Sequence, residues 1–177
     1  MTYDPTVADV VVTAGRRDAT SSYVSNSGHT YEVLTFEPTA WGSSSFGHVA
    51  TVINGTAYSL GPNGMTIEAE QQLLAENSFR SAVGLELQVS ADAAMAAAEF
   101  LISYNDPYSV IRFSACVQPV VYALGIAGVS VGTPIFPVSV GNALLDTGRV
   151  THVNFYPQTT PRSVPWYYPS ESAPWAH

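Results

Sequence analysis

His48-Val49-Ala50-Thr51-Val52-Ile53-Asn54-Gly55-Thr56-Ala57-Tyr58-Ser59-Leu60 reads as two short strands around one tight turn. Asn-Gly is the dipeptide that fits a type I′ turn, because both central positions need φ > 0, and β-branched and aromatic residues flank it. The register places His48 at the mouth of the first strand. Upstream, Tyr31-Glu32-Val33-Leu34-Thr35-Phe36-Glu37 reads as a further strand closed by Pro38, and Trp41-Gly42-Ser43-Ser44-Ser45-Phe46-Gly47 as a loop. Downstream, Gly61-Pro62-Asn63-Gly64 is a turn. A helix is expected over residues 67–77, with Glu68 and Glu70 in the first turn, where the dipole favours anions. Val83, Leu85, Leu87 and Val89 alternate as a half-buried strand does. Ser90 is placed to cap an alanine-rich helix that runs to about Ser103 and ends at Asn105-Asp106-Pro107. Another helix is expected from about Ser114 to Leu124, with Gly125 and Gly128 as stops. Strands are expected over 131–140 and 150–156. Helices and strands interleave, so the expected class is α+β.

Composition narrows the function classes. The chain has 177 residues, with 14 acidic residues against 6 basic ones and a net charge of -8. All the basic residues are arginine. Without a basic patch there is no source of counterion release, which argues against a nucleic-acid partner. Charged residues make up 11%, under half of the roughly 25% usual in soluble domains, so the polar surface falls to Ser, Thr, Asn, Gln and Tyr. No formal charge occurs between Arg112 and Asp146, but Pro119, Gly125, Gly128, Gly132, Pro134 and Pro137 break that span, and no membrane span is expected. The four histidines lack cysteine or carboxylate neighbours at ligand spacing, so no metal site is expected, and no cofactor motif is present. No Gly-x-Ser-x-Gly elbow occurs either.

The chain divides into a leader or linker over 1–30, a domain over 31–156, and an extended tail over 157–177. The tail sets Pro157, Pro161, Pro165, Pro169 and Pro174 among Trp166, Tyr167, Tyr168 and Trp175. Proline at that density disfavours helix. Met1-Thr2-Tyr3-Asp4-Pro5 has no basic region leading into an apolar stretch, so no secretory signal is expected.

Cys116 is the single cysteine. It is either a small buried hydrophobe or a reactive thiol. In the first turn of the expected helix it feels the positive end of the helix dipole, which favours the thiolate. His48, at the mouth of a strand facing that helix end, is the matching base. His29 falls in a Ser-Gly loop, His152 in the strand expected over 150–156, and His177 at the C-terminus.

The segment from His48 to Leu60 resembles the histidine hairpin of the circularly permuted NlpC-type papain-like superfamily. In that group a histidine opens one strand, a glycine turn follows, and a polar residue comes about twelve positions on. Residues 90–124 resemble the same group's closing segment: an alanine-rich helix, then Tyr108, then a cysteine opening a helix that ends in Ala123-Leu124. The histidine-before-cysteine order matches, over residues 31–125. The resemblance implies an antiparallel sheet packed against helices, with Cys116 as nucleophile and His48 as base. It places Ser59 where the family carries the residue that orients the histidine, with Glu37 and Asn63 as alternatives. Ala115 stands where the family commonly has Asn. The implied activity is a cysteine amidase or endopeptidase, first on peptidoglycan stem peptides. A cysteine protease or an acyltransferase acting on a cytoplasmic or lipid substrate is the alternative. A non-catalytic binding module, with Cys116 and His48 merely packed, is the rival from another class.

Asp9-Val10-Val11-Val12-Thr13-Ala14-Gly15-Arg16-Arg17 resembles the linker that separates the scaffold of Rhs-type polymorphic toxins from their C-terminal toxin. That implies an antibacterial type VI secretion effector whose scaffold exports it by a signal-peptide-independent route. Delivery would be into a target cell, the periplasm before the cytoplasm, and a cognate immunity protein would protect the producer.

Overall fold

The computed structural model describes residues 29–39, 46–106 and 116–161. The loop residues Trp41 to Ser45, Tyr108, Ser114, the leader through residue 28 and the tail from residue 162 lie outside the described residues. In chain order the elements are β1 (His29–Phe36), β2 (His48–Ile53), β3 (Thr56–Gly61), β4 (Gly64–Ala69), α1 (Glu70–Glu76), β5 (Ala82–Val89), α2 (Ala91–Ser103), α3 (Val117–Ile126), α4 (Pro137–Asp146) and β6 (Val150–Tyr156). The strands form one antiparallel sheet in the order β4-β3-β2-β1-β5-β6. The fold is α+β, an antiparallel sheet packed against helices.

The hairpin forms as its sequence dictates. Asn54 and Gly55 take φ of 51° and 80°, and Ile53 pairs with Thr56 directly across the turn. Successive side chains on a strand point to opposite faces, and the register sorts them. Tyr31, Val33, Val49 and Ile53 join one buried cluster with Leu85 and Leu87, covered by Ala97 and Leu101 of α2, Val117, Val120 and Leu124 of α3, and Val140 and Leu144 of α4. Leu34, Phe36, Ala50, Val52, Ala57 and Ala82 face the other way and meet Leu73 of α1. Burying each large aliphatic side chain of the first cluster contributes roughly 1.5–3 kcal/mol. The sheet thus carries three helices on one face and α1 on the other.

Several elements differ from the sequence reading. The helix expected over 67–77 begins only at Glu70, because residues 64–69 pair with β3 as an edge strand, Ile67 opposite Tyr58. Glu68 therefore sits on β4, and only Glu70 lies in the first turn of α1. The strand expected over 131–140 is instead an irregular stretch leading into α4, which starts with Pro137 at its first position behind an extended Phe136. Proline's fixed φ and missing N–H suit that position. His29 opens β1 rather than lying in a loop, and pairs with Val89. Cys116 is the N-cap of α3 rather than part of its first turn, and Gly125 lies inside that helix, with Gly128 beyond it at φ 78°. Ser90 caps α2 as expected, its side chain accepting from the Ala93 N–H at 3.2 Å.

Candidate active site

His48 opens β2 opposite Phe36, with the two rings 6.0 Å apart. Its Nε2 lies 2.7 Å from Ser59 Oγ on β3. Both are on the α1 face of the sheet. They are diagonal neighbours across the hairpin, close enough for a side-chain pair. Asn63 sits in the β3–β4 turn, exposed, and the Glu37 carbonyl accepts from Arg80 Nη1 at 3.4 Å.

The pair opens on a cavity of about 180 Å³ between β3, β4 and α1, lined also by Thr66, Glu68, Glu76, Asn77 and Arg80. Arg80 gave no sequence signal beyond being one of few cations. It is 5% exposed, donates from Nε to Asn77 Oδ1 at 3.1 Å, and its guanidinium stacks 4.9 Å over the Phe36 ring. Such stacking stabilises a cation against an aromatic face. Glu68 Oε2 is buried without a hydrogen-bond partner, and burial, helped by Glu76, raises the Glu68 pKa.

Burial, followed by the Arg80 charge, lowers the His48 pKa to about 3. The imidazole is neutral at physiological pH. When Nε2 carries the ring hydrogen and donates it to Ser59, Nδ1 is left free to accept a proton.

Cys116 reaches the same end of β2 from the other side. It is 7% exposed and belongs to the cluster under α2, α3 and α4. Burial raises its thiol pKa, while the nearby backbone amides of Val49 and of Cys116 itself, and the charge of Arg80, oppose that rise. The expectation of a thiol lowered by the helix dipole is overturned: desolvation outweighs those opposing effects. The structure thus brings His48 to Ser59, and Cys116 to the peptide that follows His48. The His48 ring itself faces the α1 cavity, whereas Cys116 packs on the helical face.

Among the described residues no group of three His, Cys, Asp or Glu is arranged to hold a metal ion, and no helix is long and apolar enough to cross a membrane. Compared with protein-family models, with curated proteins and with solved structures, the chain matches none.

Proposed function

We propose that the domain is a cysteine hydrolase cutting an amide bond, with Cys116 as nucleophile, His48 as base and Ser59 orienting the imidazole. The observation that carries this reading is that α3, which Cys116 caps, packs on β2, with Cys116 and Val49 in one buried cluster. It sets the chain's lone thiol at the residue next to a histidine whose Nε2 is already engaged. His48 is the first residue of β2, and the reading requires its ring to reach round that strand end to the thiol on the opposite face.

With the thiol pKa raised and the imidazole pKa lowered, the resting pair is neutral. Attack then couples two events: the thiol proton passes to His48 Nδ1 as sulfur bonds to the carbonyl carbon. The tetrahedral oxyanion is met by the backbone N–H groups beside the thiol, those of Val49 and Cys116. The proton on His48 passes to the departing amine, leaving a thioester, and water activated by the same imidazole releases the acid and restores the thiol. Peptidoglycan stem peptides are the proposed substrate, and delivery by a secretion scaffold into the periplasm of a target cell, with an immunity protein as partner, is the proposed setting.

A second reading rests on its own observation. The His48 ring and Ser59 line the α1 cavity while Cys116 is packed beneath three helices, an arrangement that suits a binding module whose ligand enters the cavity. One experiment separates the two: expression in a bacterium with and without an export signal, comparing the native chain with Cys116→Ala. Hydrolysis predicts killing on export with cut muropeptides, abolished by the substitution. Equal killing by a folded Cys116→Ala variant overturns it. Killing confined to the cytoplasm rejects the wall substrate and moves the activity to a protein or lipid.

A further inference from the structure

A second group of ionisable side chains lies on the α1 face of the sheet, away from His48. Glu32 of β1 is 5% exposed, and three elements converge on it. From β6, Asn154 Nδ2 donates to Glu32 Oε1 at 2.8 Å and to Glu86 Oε1 of β5 at 2.7 Å. One amide has two hydrogens, so both bonds are satisfied. The Tyr156 hydroxyl lies 3.2 Å from Glu32 Oε1 and 3.1 Å from Oε1 of Glu70, the first residue of α1.

Counting hydrogens decides what this arrangement requires. A phenol has a single proton and donates to one carboxylate. For the other contact to be a hydrogen bond, that carboxyl must bring its own proton and donate to the phenol oxygen. The seat is also closed from below: a Cβ on Gly84 would stand 1.9 Å from Glu32 Oε1. The carboxyl lies flat on the sheet only because residue 84 has no side chain, and it has no room to withdraw toward β5.

We propose that Glu32, Tyr156 and Glu70 together hold one proton beyond the phenol's own near neutral pH, and that this extra proton is a latch fastening the start of α1 and the end of β6 to β1. Its loss leaves two carboxylates competing for one phenol hydrogen, with Glu86 a third negative group beside them. The first turn of α1 and the last residues of β6 then part from β1. From β2, the residue opposite Glu32 is Val52, which is not ionisable. The basic groups on this face are His152, exposed and opposite Glu86 on β6, and Arg80, stacked on Phe36 at the far end of β1. Neither is among the hydrogen-bond partners of Glu32. Burial raises the Glu32 pKa to about 7, the Asn154 and Tyr156 bonds oppose the rise, and Glu70 and Glu86 add to it. Because α1 also supplies Leu73 and Glu76 to the wall of the His48 cavity, the latch holds that wall in place. The inference stands independently of any role for Cys116.

The test is urea unfolding of the full chain and of Glu32→Gln between pH 5 and 8. Glutamine reproduces the neutral acid: its oxygen accepts from Asn154 and its nitrogen donates to the phenol. The ratio of the native to the Glu32→Gln unfolding constant should climb by up to about tenfold per pH unit until Glu32 is ionised. A ratio that is constant over this range overturns the latch. Carbon-13 NMR titration of the Glu32 carboxyl in the native chain gives the answer even if the variant does not fold. A midpoint near neutrality supports the latch, and one below pH 5 overturns it. Glu70→Gln should lower that midpoint, and an unmoved midpoint overturns the sharing.

Discussion

His48 Nε2 and Ser59 Oγ stand 2.7 Å apart at the open end of the β2–β3 hairpin, and the turn that brings them together is Asn54-Gly55 at its other end. The bond fixes the imidazole at the wall of the α1 cavity. Ser59→Ala strands a buried ring nitrogen, which costs about 1–3 kcal/mol. Urea unfolding should show that loss, and if the ring is the base, hydrolysis should fall further than stability accounts for.

Acid should unfold the domain through His48. Its folded pKa is lowered to about 3 from 6.5, so its contribution is fully present above pH 6.5 and is lost as pH falls toward 3. The full linkage is roughly 5 kcal/mol. Proton NMR of the imidazole should show no titration between pH 5 and 8, and a midpoint above 6 would contradict the buried neutral ring.

Glu32 acts with the opposite sign. Its folded pKa is raised to about 7 from 4.5, so stability is lost as pH rises from 4.5 to 7, roughly 3 kcal/mol in full. Between pH 4.5 and 6.5 the two slopes oppose one another. Thermal melts should therefore show a plateau there, and Glu32→Gln should convert it into a rise toward neutral pH.

The Cys116 thiol should react slowly at neutral pH. With its pKa raised by burial, the rate of alkylation by a neutral reagent should keep increasing beyond pH 9, and unfolding in urea should accelerate it at pH 7. A plateau at or below pH 8 would mean that a thiolate is already stabilised in the fold.

Gly84→Ala places a methyl group in the space of the Glu32 carboxyl. Overpacking of this kind costs about 1–3 kcal/mol, and displacing a hydrogen-bonded buried acid adds to it. Gly55→Ala is a useful contrast. Nothing lies within 4 Å of its added Cβ, so only the positive φ of 80° is at issue, and the cost should stay near 1 kcal/mol. Both are measured by urea midpoint.

What could be read in advance follows the range of the interactions. The hairpin, the Ser90 cap and β6 were legible because turn chemistry, capping and alternation act within a few residues. The segment over 67–77 misled because β4 is an edge strand whose burial is only partial, so Met65 and Ile67 show no strong alternation, while the acidic residues suggest a helix start. Residues 131–140 misled through their valines, which suit strands, although Pro137 marked a helix start. Cys116 was located to within one position of its helix. The sign of its pKa shift was not legible, because desolvation depends on three helices assembling over it. Glu32 gave no sign at all: its partners lie at positions 70, 86, 154 and 156, and only the sheet gathers them.

The strand order also implies a sequence of assembly. From β4 through β1 each strand lies beside its immediate chain neighbour, so residues 29–69 pair by local contacts and can collapse early. β5 must then dock on β1 from the opposite side, and β6 must come back across the sixty residues between them to reach β5. Loop-closure entropy makes such distant pairings slow. The rate-limiting step of folding should accordingly lie in the β5–β6 half of the sheet, with the histidine hairpin formed before the cysteine helix arrives to meet it.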